Sequence, residues 1–106
     1  MAKYLFTSTY TAEGLRGLLK DGGSGRVDVA RKAAESVGGH LDSMYFSFGE
    51  QDVYIICDLP DNETAAAVSL AVGASGGVDS KTVVLLTPEE VDRATRQAVT
   101  FRAPGA

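Results

Sequence analysis

The 106 residues include no tryptophan, one cysteine, one histidine and three prolines. A single thiol excludes a disulfide within the chain, and one histidine with one cysteine falls short of the His/Cys sets that hold zinc. A metal shared between subunits is the one arrangement composition leaves open, and no cofactor is expected. Cys57 lies in the apolar run Val53-Tyr54-Ile55-Ile56-Cys57 with no cation beside it in sequence to lower its pKa, so it reads as a buried structural thiol. No apolar run approaches the roughly 20 residues that cross a bilayer. The opening Met1-Ala2-Lys3-Tyr4 leads directly into a strand pattern rather than a signal peptide. A soluble, cytoplasmic protein is expected, with no membrane partner. Positive charge is also short: 10 Lys and Arg against 14 Asp and Glu give a net charge near −4, and the basic residues do not cluster in sequence. Such a chain repels phosphate backbones, so nucleic acid is not an expected partner.

What is present is ordinary globular material, 44% hydrophobic and 23% charged. The length suits one domain over residues 1–106, with a possible extended arm at 97–106 where Val99-Thr100-Phe101-Arg102-Ala103-Pro104-Gly105-Ala106 shows no helical period. Tyr4 to Tyr10 reads as a first strand, with Tyr4, Phe6, Ser8 and Tyr10 on one face. Thr11 caps a helix carrying Leu15, Leu18 and Leu19. Gly22-Gly23 interrupts it, Ser24 caps a second piece with Val27, Ala30, Ala33, Ala34 and Val37 inward, and Gly38-Gly39 stops it. The crossover is one broken helix. His40 to Phe48 alternates strictly, Gly49 to Asp52 turns, and Val53 to Leu59 returns as a hairpin partner. A second main helix covers about Glu63 to Ala74, capped by Asp61 or Asn62, and Val78 to Leu86 forms the fourth strand. Thr87-Pro88-Glu89-Glu90 opens a short last helix with a capping box. The order is β-α-β-β-α-β, an α+β ferredoxin-like fold.

With Glu50-Gln51 as a two-residue turn, the hairpin pairs Phe48 with Val53, Phe46 with Ile55 and Met44 with Cys57, a uniformly apolar floor for the helices. The other face carries Ser43, Tyr45 and Ser47 across from Asp58, Ile56 and Tyr54, and Tyr4, Phe6, Ser8 and Tyr10 of the first strand are expected to join it. Right-handed crossovers put both helices on one side of the sheet and leave this second face open. Tyrosines among aliphatic groups suit a half-wet contact surface or the lining of a chamber, so two copies of the chain are expected to cover each other there.

The stretches Lys3-Tyr4-Leu5-Phe6, Tyr10-Thr11-Ala12-Glu13-Gly14-Leu15, Leu18-Leu19-Lys20-Asp21-Gly22-Gly23-Ser24, Asp58-Leu59-Pro60-Asp61-Asn62 and Leu85-Leu86-Thr87-Pro88-Glu89-Glu90 resemble the GYD domain family over nearly the whole chain. The resemblance implies a dimeric α/β-barrel assembly of ferredoxin-like subunits, of unassigned function. The Gly-Tyr-Asp signature would fall on Gly49, Gln51 and Asp52, with Gln51 in place of the tyrosine. Gly49 with positive φ and Asp52 bonding nearby backbone account for that turn without chemistry.

Candidate ligand-binding residues are Tyr45, Tyr54 and Asp58, with Tyr4 and Phe6, on the open face. Phenols and a carboxylate facing an apolar chamber are suited to accepting or donating protons. A candidate anion site is Lys20, Ser24 and Arg26, around the glycines of the helix break. His40 and Asp42, two residues apart, share a face on the expected alternation, on the helix side. The function expected from all this is a homo-oligomeric module, dimer or larger, that binds or senses a small molecule. A cofactor-free oxygenase or isomerase and a purely structural assembly protein are the competing readings.

Overall fold

A computed structural model of residues 1–106 runs β1 (Ala2–Tyr10), α1 (Ala12–Ser36), β2 (His40–Phe46), β3 (Val53–Leu59), α2 (Asn62–Ala74), β4 (Val78–Leu85) and α3 (Pro88–Thr95). The four strands form one antiparallel sheet in the order β2-β3-β1-β4. This is the α+β, ferredoxin-like arrangement that the element order predicts.

Local chemistry explains the boundaries. The Thr11 side chain accepts from the Gly14 N–H and starts α1, which breaks at Gly22, where φ is 74° and ψ 167°. An L side chain rarely adopts that φ, so glycine is what permits the kink. Gly22 is the one non-helical residue, so Ser24 already lies inside the second piece and is not its cap. Gly38, at φ 83°, closes the far end, with its N–H donating to the Glu35 carbonyl and that of Gly39 to the Ala34 carbonyl. Asp61, rather than Asn62, caps α2 by accepting from the Thr64 N–H at 2.8 Å. Thr87 and Glu90 form the full capping box of α3, with Pro88 as its first residue.

The hairpin differs from the two-residue turn. Phe46, not Phe48, opposes Val53, and Met44 opposes Ile55, so the ladder is shifted by two residues and the loop spans residues 47–52. The loop is tied down by Asp52. Its N–H donates to the Ser8 carbonyl, its carbonyl accepts from the Ser47 N–H, and its carboxylate accepts from the Tyr10 N–H at 2.8 Å. Phe48, not Gly49, takes the positive φ, 58°, with its ring stacked on Phe46 at 6.1 Å. A two-residue shift keeps face parity, so Met44 and Phe46 remain on the helix side.

Tyr4 and Phe6 are corrected by the register. They oppose Cys57 and Ile55 across the β1/β3 ladder, and directly opposed residues share a face. Both are therefore under the helices, buried with Ala34, Cys57, Leu59 and Ala65 in the core cluster, and Ser8 is buried beside them. Alternation alone leaves open which of β1's two mixed faces points inward. Small residues at Ala34 and Ala65 let the helices sit close to the sheet.

Only eight residues are buried, and the molecule measures 56 × 33 × 22 Å with a radius of gyration of 16.8 Å. About 13 Å is usual for a domain of this length. Residues 91–106 are exposed throughout, and 98–103 belong to no helix, strand or turn. No helix is long and apolar enough to cross a membrane.

Candidate functional site

The register sorts the open face into three rows. Lys81, Thr7, Tyr54 and Tyr45 lie across the sheet in one, Val83, Leu5, Ile56 and Ser43 in the next, and Leu85, Lys3, Asp58 and His40 in the third. An apolar strip, Val83-Leu5-Ile56, thus runs between two polar rows. Tyr45 is 71% exposed and Tyr54 37%, too wet for rings that belong to a core. Tyr45, Tyr54 and Asp58 are brought to one face, as expected from alternation, while Tyr4 and Phe6 lie on the other. The Tyr4 hydroxyl is engaged there, donating to Asn62 Oδ1 at 2.6 Å.

The third row holds the densest chemistry. Lys3 Nζ lies 2.8 Å from Asp42 Oδ2 and 3.0 Å from Asp58 Oδ1, and His40 Nε2 lies 2.9 Å from Asp58 Oδ2. The two oxygens of Asp58 therefore each face a different nitrogen, and the carboxylate is the least exposed of the four groups at 18%. The hydrogen bonds that Lys3 donates to Asp42 and then to Asp58 raise its pKa above the ordinary value, which keeps it protonated.

His40 and Asp42 were expected on the helix side. A β-bulge between Leu41 and Ser43 makes Asp42 an extra residue, so Leu41 opposes Cys57 and turns inward while His40 opposes Asp58 and turns outward. The partner of His40 is Asp58, 18 residues away in sequence, and not Asp42. Lys3 joins the cluster through the β1/β3 register, opposite Asp58. Its place depends on a register across three strands, which alternation within one strand does not supply.

The anion candidates are not gathered. Arg26 Nη1 lies 3.5 Å from Asp21 Oδ2, while Lys20 and Ser24 are exposed around the break. Arg26 lines a cavity of about 440 Å³ at the α1/α2 crevice together with Glu13 and Asp21, and two carboxylates beside one guanidinium do not favour an anion. Neither Lys20 nor Ser24 lines it. Two smaller cavities, about 100 and 70 Å³, continue between the helices and the sheet past Ala30, Ala33 and Val72. Cys57 borders the smaller of these, and burial first, then the Asp58 and Asp42 carboxylates, push its thiol pKa up to about 11. That thiol is a packing group.

At the hairpin, the carboxylate of Asp52 holds the last N–H of β1, and Gln51 Oε1 accepts from the Thr9 hydroxyl at 3.4 Å. The signature positions thus clamp the loop to the central strand. No curated protein matches the chain. The model of the GYD domain family matches residues 4–95, and the chain belongs to that family.

Proposed function

We propose, from membership of this family and the character of the open sheet face, that the chain is a homo-oligomeric module that binds or senses a small molecule between two sheets packed face to face. The observation that carries this reading is the strip Val83-Leu5-Ile56, flanked by Tyr54 and Tyr45, left without cover by either crossover helix. Its support is quantitative. The chain exposes 7193 Å². A folded monomer of 11.1 kDa exposes about 5,700 Å². The excess, about 1,500 Å², counts the exposed residues 91–106 as well as the open face, and is more than the roughly 800 Å² that each partner contributes to an interface of standard size.

Two sheets about 10 Å apart leave room for side chains or for a ligand, according to how large those side chains are. Ser43 and Thr7 are small, and Tyr45 and Tyr54 offer hydroxyls at the rim of the apolar strip. The test is native mass spectrometry of protein purified from its own cells, with sedimentation velocity at micromolar concentration. A dimer or larger species retaining a small molecule is expected. A strict monomer sinks the assembly, and an assembly whose chamber is filled by side chains favours a structural protein. The reading as a cofactor-free oxygenase or isomerase takes its support from one contact, His40 Nε2 to Asp58 Oδ2 at 2.9 Å.

A further inference from the structure

We infer that residues 88–103, the α3 helix and the arm that follows it, are an exchange element that packs into the groove between α2 and the free edge of β4 on a second copy of this chain. The inference goes beyond the sheet-to-sheet reading and does not rest on it, because the groove lies on the helix side of the sheet, away from the Val83-Leu5-Ile56 strip.

The element has no partner in its own chain. No hydrogen bond or ion pair joins residues 88–106 to anything before Thr87. None of them enters the core cluster, and every one but Glu90 is exposed. An eight-residue helix is marginal in water by itself, since isolated helices need about 12–15 residues unless one side is buried against a neighbour. Val91 and Ala94, three apart, lie on one side of α3. The arm adds Val99 and Phe101, 79% and 77% exposed. Laid out as a strand, those two share a face. From Ala98 to Arg102 no backbone group is paired, so the segment is free to join a strand edge.

The groove supplies the complement. It encloses about 470 Å³ and is lined by Ala65, Ala66, Leu70 and Val84 with Tyr4 and Thr82. Leu70 is 74% exposed and Val84 52%, two large aliphatic groups left open in one depression. β4 ends the order β2-β3-β1-β4, so one edge of its backbone is unpaired. A fifth strand laid along that edge brings Val99 and Phe101 over Leu70 and Val84. The groove is not filled by the chain's own arm, for no residue after Val84 lines it. Charge favours a second copy as the occupant. Residues 96–106 hold Arg96 and Arg102 and no acid, so the rest of the chain sets eight cations against fourteen anions. Asp61 and Glu63 flank Asn62, which lines the groove. A basic arm is thus matched to an acidic body, and every copy carries both.

The test mixes two full-length variants, Phe101→Cys and Leu70→Cys, at micromolar concentration and joins them with a short bismaleimide. Both positions are exposed, so the fold tolerates the change, and the native Cys57 is buried. A link between the two chains, located by peptide mass spectrometry, is expected to form at least ~10-fold faster than in a mixture of Phe101→Cys with Lys32→Cys on α1, because bound partners meet at about millimolar effective concentration. Equal rates in the two mixtures overturn the exchange. A chain carrying both Phe101→Cys and Leu70→Cys that links only within itself overturns the second copy as occupant. Phe101→Trp gives the chain its one tryptophan, whose emission is expected to move to shorter wavelength as subunit concentration rises; emission of a solvated indole at every concentration overturns the docking. With Leu5→Asp added to both linking variants the link is expected to persist, since Leu5 is on the other side of the sheet, and its loss there overturns an interface separate from the sheet-to-sheet contact.

Discussion

Gly14 and Gly17 stand one turn apart in α1, and the structure assigns the same substitution opposite signs at the two positions. A Cβ on Gly17 would meet nothing within 4 Å, whereas one on Gly14 would lie 1.8 Å from the Gly77 carbonyl oxygen and 2.8 Å from its carbon. Gly17→Ala therefore gains helix propensity and stabilises by about 0.5–1 kcal/mol. Gly14→Ala must move the helix start away from the backbone that leads into β4, since ordinary contact begins at 3.4 Å. That movement stretches the Thr11 N–H bond to the Gly77 carbonyl, 3.0 Å, and the Thr11 hydroxyl bond to the Gly76 carbonyl, 2.9 Å. At about 1 kcal/mol each, their loss outweighs the propensity gain and destabilises by roughly 1–1.5 kcal/mol net. The two variants should then differ by about 2 kcal/mol, which is roughly 8–16 °C in Tm for a chain of this size. Thermal and urea unfolding followed by circular dichroism, at one fixed subunit concentration because association shifts apparent stability, reads the difference. Gly14→Ala matching or exceeding Gly17→Ala would refute the close approach.

Further outcomes follow from the same geometry. Leu5→Asp places a charge in the middle of the apolar strip between Ile56 and Val83 and should shift the assembly toward monomer in sedimentation velocity; an unchanged distribution would remove the sheet-to-sheet contact. Cys57, with its thiol pushed up to about 11, should resist a disulfide reagent at pH 8 in native protein and react promptly in urea, and rapid native labelling would contradict its burial. Hydrogen bonds from the Thr87 backbone and side chain lower the Glu90 pKa from 4.5, so its cap on α3 is fully present above about pH 4.5 and is lost as pH falls through the lowered value. The protection of α3 amides relative to the unstructured exchange rate should fall over that acidic window, and in Thr87→Ala it should already be low at pH 6.

The element order, the broken crossover, the caps at Thr11, Asp61 and Thr87 and the stop at Gly38 are all legible in the sequence because each is a local event with its own residue type. Register is a different matter. The hairpin loop length depends on Asp52 reaching Tyr10 and Ser8, residues more than 40 positions away, and nothing between Phe46 and Val53 announces that tie. The inward face of β1 could not be chosen from alternation, because Tyr4, Phe6 and Ser8 compete with Leu5 and Thr7 and each set mixes apolar with polar groups. Tyr45, Tyr54 and Asp58 are placed together by period two alone, but the ligands of Asp58 come from β1 and from beyond a bulge. Alternation within one strand therefore pairs His40 with its neighbour Asp42 and gives no sign of Lys3.

Asp42 is supernumerary in its strand, and that has a bearing on how this corner can vary. Without it, Leu41 would follow the regular up-and-down sequence and still point inward, with His40 outward, so excising the residue costs the hairpin no re-pairing. A one-residue deletion therefore removes a formal negative unit from around the imidazole while the hydrophobic interior stays as it is. The local electrical setting of this edge is adjustable separately from the fold beneath it.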